Sequence, residues 1–501
     1  MRLRELIEGV EYVRLAGDVE REIASLHYDS RQVRPGSLFV AIRGFCRDGH
    51  DFVHSALTGG ASALVVESDP KLSPLPPGVT LLKVSDSRLA LAQMAANFYH
   101  HPSRRLRLIG VTGTNGKTTT TFLIESLFSR AGRRVGVIGT INYRFGGREQ
   151  VAERTTPESL DLQRVLGEMV AAGIDIAVME VSSHSLELKR VSGCEFDLAI
   201  FTNLTLDHLD FHQDLDHYLR AKLRLFSQLG KGSEKGTRKM ALINLDDAFA
   251  EQFLQVTPTE AWGYGLGEKG QIRGSGLDLS SKGIRMNIES PRGPIIIRSS
   301  LIGEHNVYNI LAAAGAGVWG GLSPSEIAEG IAMVRRVPGR WERIEEGQRF
   351  TVVVDYAHTG DALERTLKAA KDLCEGRLIT VFGCGGDRDR AKRPIMGEVA
   401  ARYSEYFIIT SDNPRSEDPA TIISEIEEGV KKAYPGKDNY DKIIDRQEAV
   451  AKAVQMAQDE DLVVISGKGH EAYQILKEGR VPFDDREVAG ACIRKKLRAE
   501  G

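Results

Sequence analysis

Short apolar runs bounded by Gly, Pro and charged residues recur along almost the whole chain, with longer segments of helical spacing between them. The runs at 37–42 (Ser-Leu-Phe-Val-Ala-Ile) and 63–66 (Ala-Leu-Val-Val) read as buried strands and 89–99 as a helix, which predicts a small α/β unit. The polar, Pro-containing stretch His101-Pro-Ser-Arg-Arg-Leu reads as a linker. A second series opens with a strand at 106–111, a Gly-rich turn and a helix at 118–130, then strands at 135–139, 174–180 and 198–203. Strands that are apolar throughout and alternate with helices are covered on both faces, so a parallel, doubly wound sheet is expected. Between 262 and 302 the pattern becomes strict alternation, as in Gly283-Ile-Arg-Met-Asn-Ile-Glu, and predicts an antiparallel addition to the same domain. The stretch 306–325 reads as a buried helix. After the turn Arg335-Arg-Val-Pro-Gly-Arg340 come strands at Thr351–Asp355, Leu378–Phe382, Tyr406–Thr410 and Leu462–Ser466, a further α/β unit of Rossmann-like, parallel character.

At 501 residues the chain exceeds the reach of one hydrophobic core, and the three series divide it at 1–101, 102–337 and 338–501. With 42% hydrophobic and 27% charged residues the composition excludes disordered and fibrous classes. Sixty-six Lys plus Arg against 69 Asp plus Glu leave a net charge of -3, so no global field serves nucleic acid or a membrane surface, and any phosphate binding is local. The cysteines at 46, 194, 374, 384 and 492 form no CxxC pair, which argues against a disulfide framework or a structural zinc and fits the cytoplasm. No apolar signal core or membrane-spanning run is present in the sequence. Gly, at 51 residues, exceeds the average share and predicts many tight turns.

The most informative segment is Gly110-Val-Thr-Gly-Thr-Asn-Gly-Lys-Thr-Thr-Thr120, between a predicted strand and a predicted helix. Gly113 and Gly116 let successive backbone N–H groups face one point, the helix N-terminus adds positive potential, Lys117 supplies a charge for terminal phosphates, and Thr118 offers a hydroxyl to Mg²⁺. A nucleoside triphosphate is the expected ligand. Val111 stands where the usual GxxxxGK[ST] pattern has Gly, so the loop is a variant. Glu180 closes the apolar run Ile176-Ala-Val-Met-Glu, a place that suits Mg²⁺ beside such a loop.

GTNGKTT in this form resembles the ATP loop of the Mur ligase superfamily, the ATP-dependent amide-forming enzymes of peptidoglycan precursor synthesis, and of their folylpolyglutamate synthetase relatives. The resemblance extends in family order through Thr155-Thr-Pro157, Glu180-Val-Ser-Ser-His184, Asn203-Leu-Thr-Leu-Asp-His-Leu-Asp-Phe-His212, Tyr218-Leu-Arg-Ala-Lys222, His305-Asn-Val-Tyr-Asn309, Gly339-Arg340, Asp355-Tyr-Ala-His358, Asp412-Asn-Pro-Arg415 and Gly467-Lys-Gly-His-Glu471. Asp29-Ser-Arg31 and Asp48-Gly-His50 resemble the uridine-nucleotide domain of the branch that adds the third peptide residue. The resemblance implies an α/β, three-domain Mur ligase architecture with a P-loop-type central parallel sheet and a Rossmann-like C-terminal domain.

It also implies the site residues. ATP falls to Gly113, Thr114, Asn115, Gly116, Lys117, Thr118 and Thr119, with Asn306, Arg340 and Asp355. Catalysis falls to Lys117, Glu180, His208 and Lys222, and Mg²⁺ to Thr118, Glu180, His208 and Lys222, the last as a carbamate (N6-carboxylysine). By composition alone Lys222 would be a solvated lysine on a helix face. Asp207 and His212 stay open between hydrogen bonding and catalysis, and His358 between mechanism and loop ordering. Tyr28, Ser30, Phe45, Cys46, Arg47, Thr155, Thr156, Ser182 and Arg190 are implied contacts of UDP-N-acetylmuramoyl-L-alanyl-D-glutamate. In the same branch Asp-Asn-Pro-Arg accompanies meso-2,6-diaminopimelate, implying a pocket of Arg388, Asp412, Asn413, Pro414, Arg415, Gly467 and Glu471. An Arg at Arg415 suits bidentate capture of a distal carboxylate. For Arg390, Lys392 and Arg393 a solvated basic loop is a serious rival. The expected protein is a cytoplasmic monomer with no nucleic-acid or membrane partner, ATP its co-substrate and Mg²⁺ its cofactor. A folate- or cyanophycin-related ligase, and a P-loop switch or motor, are the rival readings.

Overall fold

The computed structural model describes residues 1–44, 47–68, 75–205, 211–280 and 282–500. They form two compact units, one of Met1–Gly113, Phe128–Thr202 and Asp214–Tyr264, the other of Thr114–Leu127, Asn203–Gln213 and Gly265–Gly501. Among the described residues no helix is long and apolar enough to cross a membrane.

In the first unit the N-terminal residues build a five-stranded sheet in the order Val13–Ala16, Thr80–Lys83, Ala61–Val66, Ser37–Val40, Ser25–His27. It is parallel except at the Val13–Ala16 edge. The helix Ser87–Phe98 is capped by Asp86, whose carboxylate accepts from the Leu89 amide. The later strands run Glu260–Gly265, Met240–Asn244, Leu198–Phe201, Arg107–Thr112, Ile176–Glu180, Val135–Ile138, all parallel, followed by the antiparallel strands Asn142–Phe145 and Arg148–Val151. Arg107–Thr112, whose apolar run has no polar face, is central, as burial on both faces requires. Trp262 corrects the sequence reading. It lies in a parallel strand, paired with Leu242, and the antiparallel pattern begins only at Ile272.

In the second unit Ile272–Ser280, Gly283–Glu289 and Ile295–Ser299 form an antiparallel meander. Along Gly283–Glu289, Ile284, Met286 and Ile288 are buried while Arg285, Asn287 and Glu289 are exposed, as alternation predicted. The 306–325 run becomes the buried helix Glu304–Trp319 and the start of Pro324–Met333. The C-terminal sheet runs Glu342–Arg343, Thr351–Asp355, Leu462–Ser466, Leu378–Phe382, Tyr406–Thr410, Tyr440–Ile443, parallel but for the first strand. Its helices Lys392–Tyr403 and Pro419–Ala433 touch through glycine. A Cβ would lie 2.1 Å from the Ile426 carbonyl at Gly397 and 1.8 Å from the Pro394 carbonyl at Gly429. Part of the glycine excess therefore serves helix contact and not turns.

Beneath the carboxyl ends of that sheet Arg446 and Asp485 form an ion pair sealed from solvent. Arg446 Nε and Nη2 donate to the Asp485 carboxylate at 2.8 and 2.7 Å, and Nη2 also donates to the Ser466 carbonyl at 2.9 Å. Because a lone buried charge is costly, Asp485→Ala is expected to lower unfolding free energy by about 3–5 kcal/mol. Arg446→Met/Asp485→Leu recovers only part of that loss, because it removes both buried charges but leaves the Ser466 carbonyl without its donor. Guanidinium-chloride unfolding checks both, and a single-variant loss under about 1 kcal/mol would contradict the account.

Candidate active site

In the first unit Glu180 stands beside Val111, at the end of the strand that leads into the phosphate loop. Its carboxylate is buried, accepting from the Thr140 amide at 2.8 Å and the Thr140 hydroxyl at 2.9 Å. Thr140 and Thr155 share a 3.1 Å hydroxyl contact, and Thr156 donates to the Glu180 carbonyl at 2.8 Å. Ser182 caps the helix Ser183–Glu187 and accepts from the Ser185 amide at 3.1 Å. Arg190 donates to the Thr156 carbonyl at 3.2 Å and lies 3.3 Å from Glu158. Burial pushes its guanidinium below its ordinary value, against the pull of Glu158. Thr155, Thr156, Glu180, Ser182 and Arg190 are thus joined by a single run of hydrogen bonds at adjacent strand ends.

Lys222 is no solvated helix-face lysine. On the helix Leu215–Ser227 it is 1% exposed, its ammonium donating to the Gly113 carbonyl at 2.8 Å and lying 4.4 Å from the Tyr218 ring centroid. The amphipathic helix turns this position inward, which an AK dipeptide does not reveal. Tyr28 donates to Asp161 at 2.7 Å, and burial with that carboxylate pushes its phenol up. Ser30 opens a short 3₁₀ turn capped by Asp29, and Arg47 is exposed. Phe45, Cys46, Asp207 and His208 lie outside the described residues.

In the second unit the phosphate loop is braced from 203–205. The Thr114 amide donates to the Asn203 carbonyl at 2.8 Å, and the Asn115 amide to Asn203 Oδ1 at 3.0 Å. Lys117 Nζ donates to the Thr114 carbonyl at 2.8 Å, and Thr118 and Thr119 are buried in the first turn of Lys117–Arg130. Gly116 has φ +86°, and a Cβ there would lie 2.3 Å from Asn309 Oδ1. Asn309 in turn donates to Asn306 Oδ1 at 2.9 Å, while Asn306 Nδ2 donates to the Ile302 carbonyl at 2.8 Å. Arg340 Nη2 donates to the Thr118 hydroxyl at 3.2 Å, its guanidinium 4.5 Å from the Tyr356 ring centroid. Asp355 accepts from the Trp341 and Ala357 amides, both at 2.9 Å, and so holds the turn that carries Arg340. His358 Nδ1 bonds the Tyr356 carbonyl at 2.8 Å, which orders its loop, and the His212 side chain is buried. Asn203, Asn309 and Tyr356 are site residues that the sequence reading passed over. Asn203 and Asn309 stood in quoted motifs, but no spacing rule links them to the loop they support.

Among the described residues no group of three His, Cys, Asp or Glu is arranged to hold a metal. Mg²⁺ at a nucleotide takes one or two protein oxygens and fills its shell with phosphate and water; the Thr118 hydroxyl in the second unit and the buried Glu180 carboxylate in the first are each oxygen donors of that kind.

Three loops leave adjacent strand ends of the C-terminal sheet and are stitched together. The Gly386 amide donates to the Asn413 carbonyl at 2.9 Å, and Arg415 Nη1 to the Gly386 carbonyl at 2.7 Å. Arg415 has φ +53°, a strained backbone of the kind that gathers at binding sites. Burial lowers its guanidinium first, with Arg388, while Asp412 and Glu471 oppose. Asn413 Nδ2 donates to Glu471 Oε2 at 2.9 Å, and Gly467 lies where a Cβ would come 2.5 Å from Asp412 Oδ2. The Pro414 carbonyl packs on Gly386, and Arg388 is exposed. Arg393 corrects the solvated-loop alternative. It is fully buried between Glu417 at 2.9 Å and Glu425 at 2.6 Å, while Lys392 donates to the His358 carbonyl at 2.8 Å and Arg390 stays exposed beside Glu417.

His470 lies 5.1 Å from the Tyr356 ring. Burial, then the cations Arg340, Arg486 and Lys468, hold its imidazole down at about 3 against an ordinary 6.5. The unfolded chain takes up this proton near pH 6.5 and the folded one only near 3, so stability falls on acidification through that window. The loss reaches at most about 1.4 kcal/mol per pH unit. His470→Gln is expected to flatten the pH dependence of denaturant unfolding between about pH 6.5 and pH 5, and an unchanged slope would refute the assignment.

Three family models match: Mur ligase family, catalytic domain, at residues 22–99; Mur ligase middle domain at 111–317; and Mur ligase, glutamate ligase domain, at 339–469. The UDP-N-acetylmuramoyl-L-alanyl-D-glutamate--2,6-diaminopimelate ligase of Geobacter metallireducens is 46% identical, with 99% of each chain covered. The ligase of the same name from Geobacillus thermodenitrificans is 46% identical over 95% of this chain and 96% of its own. A solved structure of a ligase of that name superposes with a TM-score of 0.70 at 32% identity, covering 99% of both chains. The chain belongs to the Mur ligase family of ATP-dependent ligases.

Proposed function

We propose that the protein joins meso-2,6-diaminopimelate to UDP-N-acetylmuramoyl-L-alanyl-D-glutamate, driven by ATP, with 1–101 serving the uridine nucleotide, 102–337 ATP and 338–501 the amino acid. The observation that carries this is the opposed charge at adjacent strand ends. Arg415 donates to the Asn413 carbonyl at 3.4 Å, and the Asn413 side chain holds Glu471 at 2.9 Å. A cation and a carboxylate joined through one residue suit an amino acid whose distal end carries both a carboxylate and an ammonium. The relatives' names support the same substrates.

In this reading a substrate carboxylate oxygen attacks the γ-phosphorus of ATP, ADP leaves, and an acyl phosphate forms. The amine of the incoming amino acid then attacks the acyl carbon, loses a proton and expels phosphate. Lys117 neutralises charge on the transferred phosphoryl group, the loop amides of 113–119 hold the other phosphates, and Arg340 reaches ATP through the Thr118 end of the loop. Thr118, Glu180 and His208 are the groups assigned to Mg²⁺, which when bound supplies charge neutralisation to both reacting partners. Thr155, Thr156, Ser182 and Arg190 orient the muramoyl peptide, and Tyr28, Ser30 and the 45–47 loop the uridine diphosphate. Asn306 and Asp355 belong to ATP, and Arg388, Asp412, Pro414 and Gly467 complete the amino-acid pocket. The reading implies a cytoplasmic monomer.

The experiment is an ATP-dependent ligation assay across a panel of amino acids. Phosphate release is expected to require both the UDP-muramoyl dipeptide and diaminopimelate. Arg415→Ala is expected to lower kcat/KM for diaminopimelate about a hundredfold or more, since it strips a half-buried charge from the substrate carboxylate. Equal turnover of L-lysine by the unaltered protein would sink the assignment. Lys222 is assigned a carbamate, with its burial against Gly113 as support. Crystals grown with bicarbonate are expected to show density beyond Nζ, and a bare ammonium there would reject it.

A further inference from the structure

Lys468 is turned inward by the glycines on either side. Gly467 and Gly469 adopt φ +117° and +53°, and a Cβ would lie 2.5 Å from Asp412 Oδ2 at the first and 2.8 Å from the Gly339 carbonyl oxygen at the second. Between them Lys468 is 0% exposed. Its ammonium donates to Asn413 Oδ1 at 3.1 Å and Glu471 Oε2 at 3.0 Å, with the Tyr473 ring centroid 5.8 Å away. Asn413 Oδ1 also accepts from the Ile475 amide at 2.9 Å, which fixes the orientation of the amide and aims Nδ2 at Glu471. Burying a lysine costs solvation and rotamer entropy, and an apolar side chain of similar volume is often as stabilising. Fold stability is therefore a weak reason for this arrangement.

The charges around the pocket supply a stronger one. Asp412 and Glu471 are acidic and Arg388, Arg415 and Lys468 basic, so Lys468 offsets Glu471, while Arg415 and Arg388 leave one positive charge over Asp412. Arg388 is exposed to solvent, and Arg446 is offset by its partner Asp485. We propose that Lys468 sets the selectivity of the amino-acid pocket, cancelling Glu471 so that the wall accepts a distal end bearing both carboxylate and ammonium and refuses one bearing an ammonium alone. The inference rests on the diaminopimelate reading above. Lys468 acts through Glu471 and Asn413 and is a positioning residue. With its charge removed, Glu471 is left as an uncompensated anion that welcomes the bare ammonium of L-lysine.

The test compares kcat and KM for diaminopimelate and L-lysine in the unaltered enzyme, Lys468→Met and Lys468→Met/Glu471→Gln. The single variant is expected to lower the diaminopimelate-to-lysine ratio of kcat/KM by roughly 30-fold, as loss of one partner of a buried charge pair implies, chiefly through KM for the amino acid. KM for ATP stays unchanged and reports a folded protein. The double variant, whose wall regains the net charge of the unaltered enzyme, is expected to regain discrimination against lysine, a rescue that general destabilisation would not give. A selective unaltered enzyme whose ratio persists in Lys468→Met, or a double variant no more selective than the single, overturns the role of Lys468 alone. An unaltered enzyme that adds lysine as readily as diaminopimelate overturns the substrate reading and this inference with it.

Discussion

The guanidinium of Arg446, sealed against Asp485, holds the base of the proposed amino-acid pocket. It donates to the Ser466 carbonyl at 2.9 Å and reaches the Ser411 carbonyl at 3.5 Å, the last residue before each of two pocket loops. Parallel strands end with carbonyls that have no partner in the ladder, and a buried carbonyl must be satisfied. One planar cation with several donors does this for both strand ends at once, and Asp485 keeps it from being a bare buried charge. From those anchored ends Asp412, Asn413 and Arg415 leave on one loop and Gly467, Lys468 and Glu471 on the other. Their side chains meet because their strand ends are held in step.

The third loop of the pocket is held by a second internal cation. Arg393 lies between Glu417 and Glu425, and Glu417 also accepts from the Asp387 amide at 2.6 Å. Arg393 first, then the Asp387 amide, hold the Glu417 carboxyl down at about 2. The loop glycines close the remaining gap, since Gly386 touches the Pro414 carbonyl where any side chain would intrude. At the phosphate loop the same kind of problem is solved by amides. Asn203 meets the loop with both main chain and side chain, and Asn309 fills the space that Gly116 leaves open. Preorganised donors of this kind need not reorganise when an anion arrives.

Much of this was legible beforehand. The four strands Thr351–Asp355, Leu378–Phe382, Tyr406–Thr410 and Leu462–Ser466 have the bounds that their apolar runs predict, because a strand covered on both faces leaves an uninterrupted signal. Half-exposed edge strands such as Tyr440–Ile443 leave none, and that strand was not foreseen. Trp262 was misread because its strand is partly exposed at its start and lies just before a genuinely alternating segment. Lysines and arginines were the least legible residues. Lys222, Arg393, Arg446 and Lys468 are all sealed from solvent, yet composition treats such side chains as surface groups by default.

By itself the sequence determined the α/β class, the phosphate loop with its Gly113, Gly116, Lys117 and Thr118, and the strand-end loops where ligand groups would gather. Those features are local, since turn glycines, apolar runs and a helix start are each written within a few adjacent residues. Tertiary structure alone decided which distant side chains share a charge. Lys468 with Asn413, Arg446 with Asp485, and Arg340 with Thr118 and Tyr356 are pairings across tens to hundreds of residues. The physical reason is burial. A cation removed from water must find its anion wherever the fold brings one, and no spacing along the chain records where that is.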